Sequence, residues 1–139
     1  MEKLQKIYDK FKTLKDEAVV DCNFDKGKLE SQFNNTLVIM KWINYRSEWN
    51  QVYRVYENKR KETYRKLYEF YKLEYDLKIN TKEELSLFIE SDVQYTEVFN
   101  ICQVLKEILQ YISDVVDNLK GKNFEIQRYL NYLQFINGK

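Results

Sequence analysis

Apolar residues recur at steps of three and four along most of the chain. Between residues 2 and 18 the positions Leu4, Ile7, Tyr8, Phe11, Leu14 and Ala18 keep this spacing, which predicts an amphipathic helix. Val19 to Phe24 alternates loosely and is β-branched at its start, so it reads as a short extended piece. Asp25-Lys26-Gly27 is a turn signal. The helical pattern resumes at Lys28 with Leu29, Phe33, Leu37 and Met40, and runs on through Trp42, Trp49, Tyr53, Tyr56, Leu67 and Tyr71. This predicts one very long helix over 28–77, or two with a kink near Asn34-Asn35. Lys78-Ile79-Asn80 is a connector. Thr81 and Glu84 then match a capping box, in which a hydroxyl and a carboxylate satisfy exposed backbone N–H groups, and Ser91 to Gln94 matches it again. Val98, Ile101, Cys102, Leu105, Ile108, Leu109, Ile112, Val115, Val116 and Leu119 mark a strong helix over 92–120. Lys120-Gly121-Lys122 reads as its end, with Gly121 free to turn left-handed. A last helix over about 124–136 carries Ile126, Tyr129, Leu130, Leu133 and Ile136 on one side.

The fold class is therefore all-α, an elongated helical protomer with one or two long helices. Proline is absent, and glycine occurs three times in 139 residues, so long helices have few breakers. We read one helical domain over 1–139. It divides into an N-terminal helix and turn (1–27), a long basic helix (28–79) and C-terminal helices (80–139). An elongated protomer has a poor surface-to-volume ratio and hides its apolar stripes against neighbours. The last helix is thus a candidate oligomerisation surface through Ile126, Tyr129, Leu130, Leu133 and Ile136. The alternative is that it packs back on its own chain.

Composition narrows the chemistry. No histidine is present, which removes Ser-His-Asp and Cys-His catalysis. The two cysteines, Cys22 and Cys102, are not in a Cys-x-x-Cys spacing and read as small buried hydrophobes in a reducing compartment, not as metal ligands. Gly27, Gly121 and Gly138 form no phosphate-binding or dinucleotide pattern. Glu83, Glu84, Glu90, Asp92 and Glu97 have no familiar ligand spacing and read as a solvated acidic face. No enzyme, cofactor or metal is expected. With no apolar run long enough for a membrane span or a signal peptide, a soluble, intracellular protein without a membrane partner is expected.

The net charge of +1 points to no partner, but its distribution does. Residues 1–40 balance, 41–79 carry +4, 80–117 carry −6 and 118–139 carry +3. A polyanion is drawn to the middle or the extreme end. On a helix with about 100° per residue, Arg54, Lys61, Arg65 and Lys72 fall within about 20° of one line, a ridge of roughly 27 Å. Trp49, Val52, Tyr56, Leu67, Phe70 and Tyr71 fall on the opposite arc and should face the protein. Tyr64, Tyr68 and Tyr75 lie on the shoulder. Spaced cations can neutralise successive phosphates, and rings beside them can stack on bases of any sequence. This suits single-stranded nucleic acid. Glu57, Glu62 and Glu69 on the flanks can instead pair with the cations, so a solvated face and an anionic protein partner stay open.

Particular residues then suggest a family. Asn34-Asn35-Thr36-Leu37-Val38-Ile39-Met40-Lys41-Trp42-Ile43-Asn44 resembles the segment leading into the Lys-Trp-Leu-Asn of the UvsY family, recombination mediators of T-even-type bacteriophages. Ile108-Leu109, Asp117, Leu119-Lys120, Phe124, Ile126, Phe135 and Gly138-Lys139 are similar to it without a gap. The resemblance implies a homo-oligomeric ring of about six or seven protomers, hexamer or heptamer, assembled through the C-terminal region. It implies binding to the backbone of single-stranded DNA, loosening of the phage single-strand binding protein and loading of the phage recombinase, in the cytoplasm of an infected bacterial host. The family's DNA-linked stretch of alternating hydrophobic and basic residues falls on Tyr64-Arg65-Lys66-Leu67-Tyr68. Arg65 matches its first basic position. The second falls on Leu67, so the adjacent Lys66 would have to substitute. The DNA-binding set is therefore Arg54, Lys61, Arg65, Lys66, Lys72, Tyr64 and Tyr68. The competing class is a helical adaptor or structural oligomer that binds no DNA.

Overall fold

A computed structural model describes residues 2–25, 27, 33–74 and 81–138. Four α-helices make up the described chain. They are α1 (Glu2–Asp21), α2 (Asn35–Glu69), α3 (Lys82–Ser91) and α4 (Val93–Ile136), with a π-helical turn at Phe70–Glu74 continuing α2.

α1 buries Ile7, Phe11, Leu14 and Ala18, one residue per turn on one stripe. Tyr8, on the edge of that stripe, is exposed. The extended piece expected at Val19–Phe24 begins as helix instead. Helix continues to Asp21, because the β-branched pair Val19-Val20 points to solvent and crowds nothing.

The first residues of the long basic helix, 28–32, its last, 75–77, with Tyr75 among them, and the connector 78–80 lie outside the described residues. Where a kink is expected, α2 begins: Asn35 is its first residue, and the Asn34 carbonyl before it accepts from the Leu37 and Val38 N–H groups without a side-chain cap. Asn35 is buried, and its Nδ2 donates to the Leu119 carbonyl (2.8 Å) and to Asn123 Oδ1 (2.7 Å). Near the other end of α2, Arg60 donates to the Tyr95 hydroxyl (3.0 Å). These contacts run α2 antiparallel to α4. Their shared face with α1 forms the main core, in which Trp42, Leu105, Ile108, Ile112 and Leu119 are fully buried. Burying one such aliphatic side chain stabilises by about 1.5–3 kcal/mol. A smaller cluster of Leu67, Leu85, Ile89 and Tyr95 joins the end of α2 to α3 and the start of α4.

A polar network closes the core where α1 ends. Asp21 Oδ2 accepts from Lys41 Nζ (2.7 Å) and from Trp42 Nε1 (2.8 Å), and the Asp21 carbonyl accepts from Lys122 Nζ (2.9 Å). The fully buried Trp42 and the buried Lys122 thereby share one partner residue. Burial pushes the Lys122 ammonium below its usual pKa.

Two expected boundaries move. α4 does not stop at Gly121 but runs through it, and among the described residues only Gly138 has positive φ. A Cβ at Gly121 would meet nothing within 4 Å, so no packing forces the chain to turn there. Helix-favouring neighbours on both sides then carry the helix past one glycine. The second cap is Asp92, not Ser91: its Oδ1 accepts from the Gln94 N–H (2.9 Å). The hydroxyl half of the first cap is as expected, with Thr81 Oγ1 accepting from the Glu84 N–H (3.1 Å).

Candidate nucleic-acid interface

The edge of α2 that carries Arg54, Lys61 and Arg65 faces solvent, and all three side chains are exposed. Its back is packed: Leu67 is buried, and Trp49, Tyr53 and Tyr56 lean on the main core. Val52 and Phe70, both at the edge of the apolar arc about 160° from the ridge, are exposed instead. The core-facing arc is thus narrower than the periodicity alone suggests.

Carboxylates flank the edge. Arg65 pairs with Glu69 (3.1 Å) and Lys66 with Glu62 (3.2 Å), both one turn apart and more than half exposed. Such pairs contribute only about 0.3–0.5 kcal/mol, so a phosphate competes with them readily. Among the described residues, Arg54 and Lys61 have no carboxylate within ion-pair distance. The cation that is tied up is Arg60, which points inward. It forks onto Glu57 and reaches Tyr95, and the Glu57 carboxylate raises its pKa while Arg60 holds Glu57 below the usual carboxylate range. Sequence periodicity puts Arg60 on the core side of α2. The Glu57 three residues before it is the only local sign of how its charge is satisfied.

Lys72 lies within the π-helical turn, whose wider winding takes it out of strict α-helical register with Lys61 and Arg65. Its Nζ donates to the Tyr68 hydroxyl (2.9 Å) and stands 5.1 Å from that ring's centre. The Lys72 ammonium lowers the Tyr68 phenol's pKa. Tyr68 is on the surface, as expected of a shoulder residue. Tyr64 is not. Its ring meets Tyr95 edge-on (5.8 Å) and its hydroxyl bonds with Ser86 Oγ (3.4 Å), so it belongs to the smaller core cluster. Lys66 and Leu67 point about 100° apart, Leu67 inward and Lys66 out. Lys66 therefore stands beside the ridge and does not occupy the direction of Leu67.

The last turns of α4 hold the expected apolar residues unequally. Ile126 is buried within the chain, Tyr129, Leu130 and Leu133 are half-buried, and Ile136 is exposed. The Tyr129 ring meets Phe24 edge-on at 6.2 Å. The larger exposed surface is on the other side, where Phe124 is 69%, Tyr132 57% and Phe135 82% exposed. These three fall within about 80° on the helix. At the start of α2, Leu37 and Met40 are exposed as well, so the apolar pattern there is not a core stripe.

The remaining chemistry is sparse. Cys102 is buried and Cys22 half-buried, and burial raises both thiols' pKa, which makes them poor nucleophiles. Among the described residues no group of acidic or sulfur ligands is arranged to hold a metal ion. No described helix is long and apolar enough to cross a membrane.

Comparison with known proteins gives one consistent result. A family model described as "Recombination, repair and ssDNA binding protein UvsY" matches residues 13–139. Crystal structures of the bacteriophage T4 recombination mediator protein UvsY share the fold. The lattice type II structure has a TM-score of 0.83 and 22% identity over 91% of this chain and 97% of that one. The lattice type IV structure has a TM-score of 0.81 and 21% identity over 90% and 97%. No curated protein sequence matches.

Proposed function

Because the chain belongs to the UvsY family of recombination, repair and single-stranded-DNA-binding proteins, we propose that it is a recombination mediator that grips the DNA backbone through the outer edge of α2. Lys61 and Arg65 form the centre of the track, Arg54 extends it toward the core, and Lys66 and Lys72 flank it. Tyr68 supplies the stacking surface. Tyr64 contributes indirectly, by fixing the end of α2 against α3 and α4.

One observation carries this reading. Cations stand in solvent along one edge of a helix whose opposite edge is packed, and the carboxylates they pair with among the described residues are exposed. Phosphates exchange for those carboxylates and release counterions, so affinity arises without sequence reading. No described element has the form of a major-groove reading head.

The chain works as a homo-oligomeric ring of six or seven copies, joined through the projecting end of α4. A ring multiplies a weak contact per protomer through effective concentration. It thereby holds a strand taut enough to loosen the phage single-strand binding protein and load the recombinase, in the cytoplasm of the infected host. The test is fluorescence anisotropy with a labelled poly-thymidine oligonucleotide and a mixed-sequence one of equal length. Affinities within about threefold of each other are expected, and Arg54→Ala with Lys61→Ala and Arg65→Ala should lower both at least tenfold. Failure to retain either oligonucleotide at moderate salt would leave the helical-adaptor reading in its place.

A further inference from the structure

Lys3, Lys6 and Lys10 precede the region that the family model matches. They recur at steps of three and four on α1, and all are exposed. Together they form one wall of a groove of about 390 Å³ between α1 and α2. Small-ligand sites begin at about 300 Å³. The opposite wall is Trp49, Val52 and Tyr56 of α2, with Ile7 at the base and Glu48 as the one carboxylate. Three cations against one anion make the groove a trap for negative charge.

The two walls have the same pitch. Lys3 and Lys10 are seven residues apart, and so are Trp49 and Tyr56, each a rise of about 10 Å. One wall is cationic along its length and the other aromatic. A single strand presents phosphates along one edge and flat bases along the other, so it can lie lengthwise with its backbone on α1 and its bases against α2. A peptide presents the same division only if acidic and apolar residues alternate along it, whereas a single strand of any sequence does so. Trp49, Val52 and Tyr56 fall about 160–220° around α2 from Arg54, so the groove lies across the helix from the ridge.

We propose that the α1–α2 groove is a second single-stranded nucleic-acid site, separate from the α2 edge. It gives each protomer two tracks, which lets one strand wrap the protein or two segments bind at once. The inference rests on the reading of the chain as a DNA binder, and the test separates the two.

Tryptophan fluorescence reads the groove selectively, because Trp42 is fully buried and Trp49 lines the groove. A poly-thymidine oligonucleotide should quench the full-length protein. Trp49→Phe should abolish the quench, and Lys61→Ala with Arg65→Ala should leave its amplitude at saturation unchanged while shifting the oligonucleotide concentration needed. Lys3→Ala with Lys6→Ala and Lys10→Ala should weaken the quench-detected affinity at least tenfold and flatten its dependence on log salt by about 2, since each phosphate contact on a single strand contributes about 0.7. Binding by anisotropy without any Trp49 response, unaltered in the triple-lysine variant, would overturn the groove and leave the α2 edge standing. No binding by either signal would remove both. A Trp49 response to a glutamate-rich peptide but not to the oligonucleotide would assign the groove to protein. A response that tracks protein concentration alone would assign it to a second copy. Either result overturns the proposal.

Discussion

Between Ile101 and Leu119, α4 turns nine residues into the core, whereas between Lys120 and Ile136 only Lys122 and Ile126 are buried. The apolar residues do not run out at Leu119. Phe124, Tyr132, Phe135 and Ile136 follow, and they are exposed. What changes is the partner. α1 ends at Asp21 and α2 begins at Asn35, both of which contact α4 between Leu119 and Asn123, so beyond that point α4 outruns the helices that cover its first half. α2 has the converse form. Its first half contributes Trp42 to the three-helix core, and its second half turns charged residues outward while Leu67 alone is buried. Each long helix holds the protomer together over part of its surface and leaves the rest for something else, the far half in α4 and the outer edge of the second half in α2. In α4 the free half is apolar, which fits another copy of the chain. In α2 the free edge is cationic, which fits a polyanion.

This contrast can be broken most strongly in the core. Leu105→Ala should cost about 2–5 kcal/mol of protomer stability, because the cavity lies among fully buried neighbours. Leu133→Ala, on the free half, should cost under about 1 kcal/mol, both variants being read by urea titration, since a half-buried side chain loses less. Equal costs would mean that the far half of α4 is as much core as the near half.

The continuity of α4 is tested next. Gly121→Ala should stabilise by about 0.5–1 kcal/mol, because a helical glycine with open space gains from a methyl group. Destabilisation would mean that the chain turns at Gly121 and that the two halves are separate helices.

The smallest effect concerns the ridge. Glu62→Gln with Glu69→Gln should change thermal stability by less than about 1 kcal/mol, since both ion pairs are exposed. The same change should raise affinity for an oligonucleotide by freeing Lys66 and Arg65. A large loss of stability would mean that those carboxylates hold the fold.

The parts of this arrangement that were legible beforehand are those set by repeated local choices. The α1 stripe Ile7-Phe11-Leu14-Ala18, the long stripe from Ile101 to Leu119 and the Thr81 cap each follow from spacing that a helix alone dictates. The solvent-facing edge of Arg54, Lys61 and Arg65 follows from the same geometry. What was hidden depends on partners distant in sequence. Nothing local tells that Asn35 will bond across to Leu119, that Tyr64 will meet Tyr95 while Tyr68 stays out, or that α4 will pass through a glycine. The groove was hidden for a further reason. Lys3, Lys6 and Lys10 sit in a stretch of zero net charge, and only the antiparallel placement of α1 on α2 sets them opposite Trp49 and Tyr56.

The edge of α2 as a DNA track is most directly tested by the salt dependence of anisotropy-detected oligonucleotide binding, measured for the unaltered protein and for Lys61→Ala with Arg65→Ala. Loss of two phosphate contacts should make the slope of log affinity against log salt shallower by about 1.4. Superimposable slopes and affinities would contradict the account.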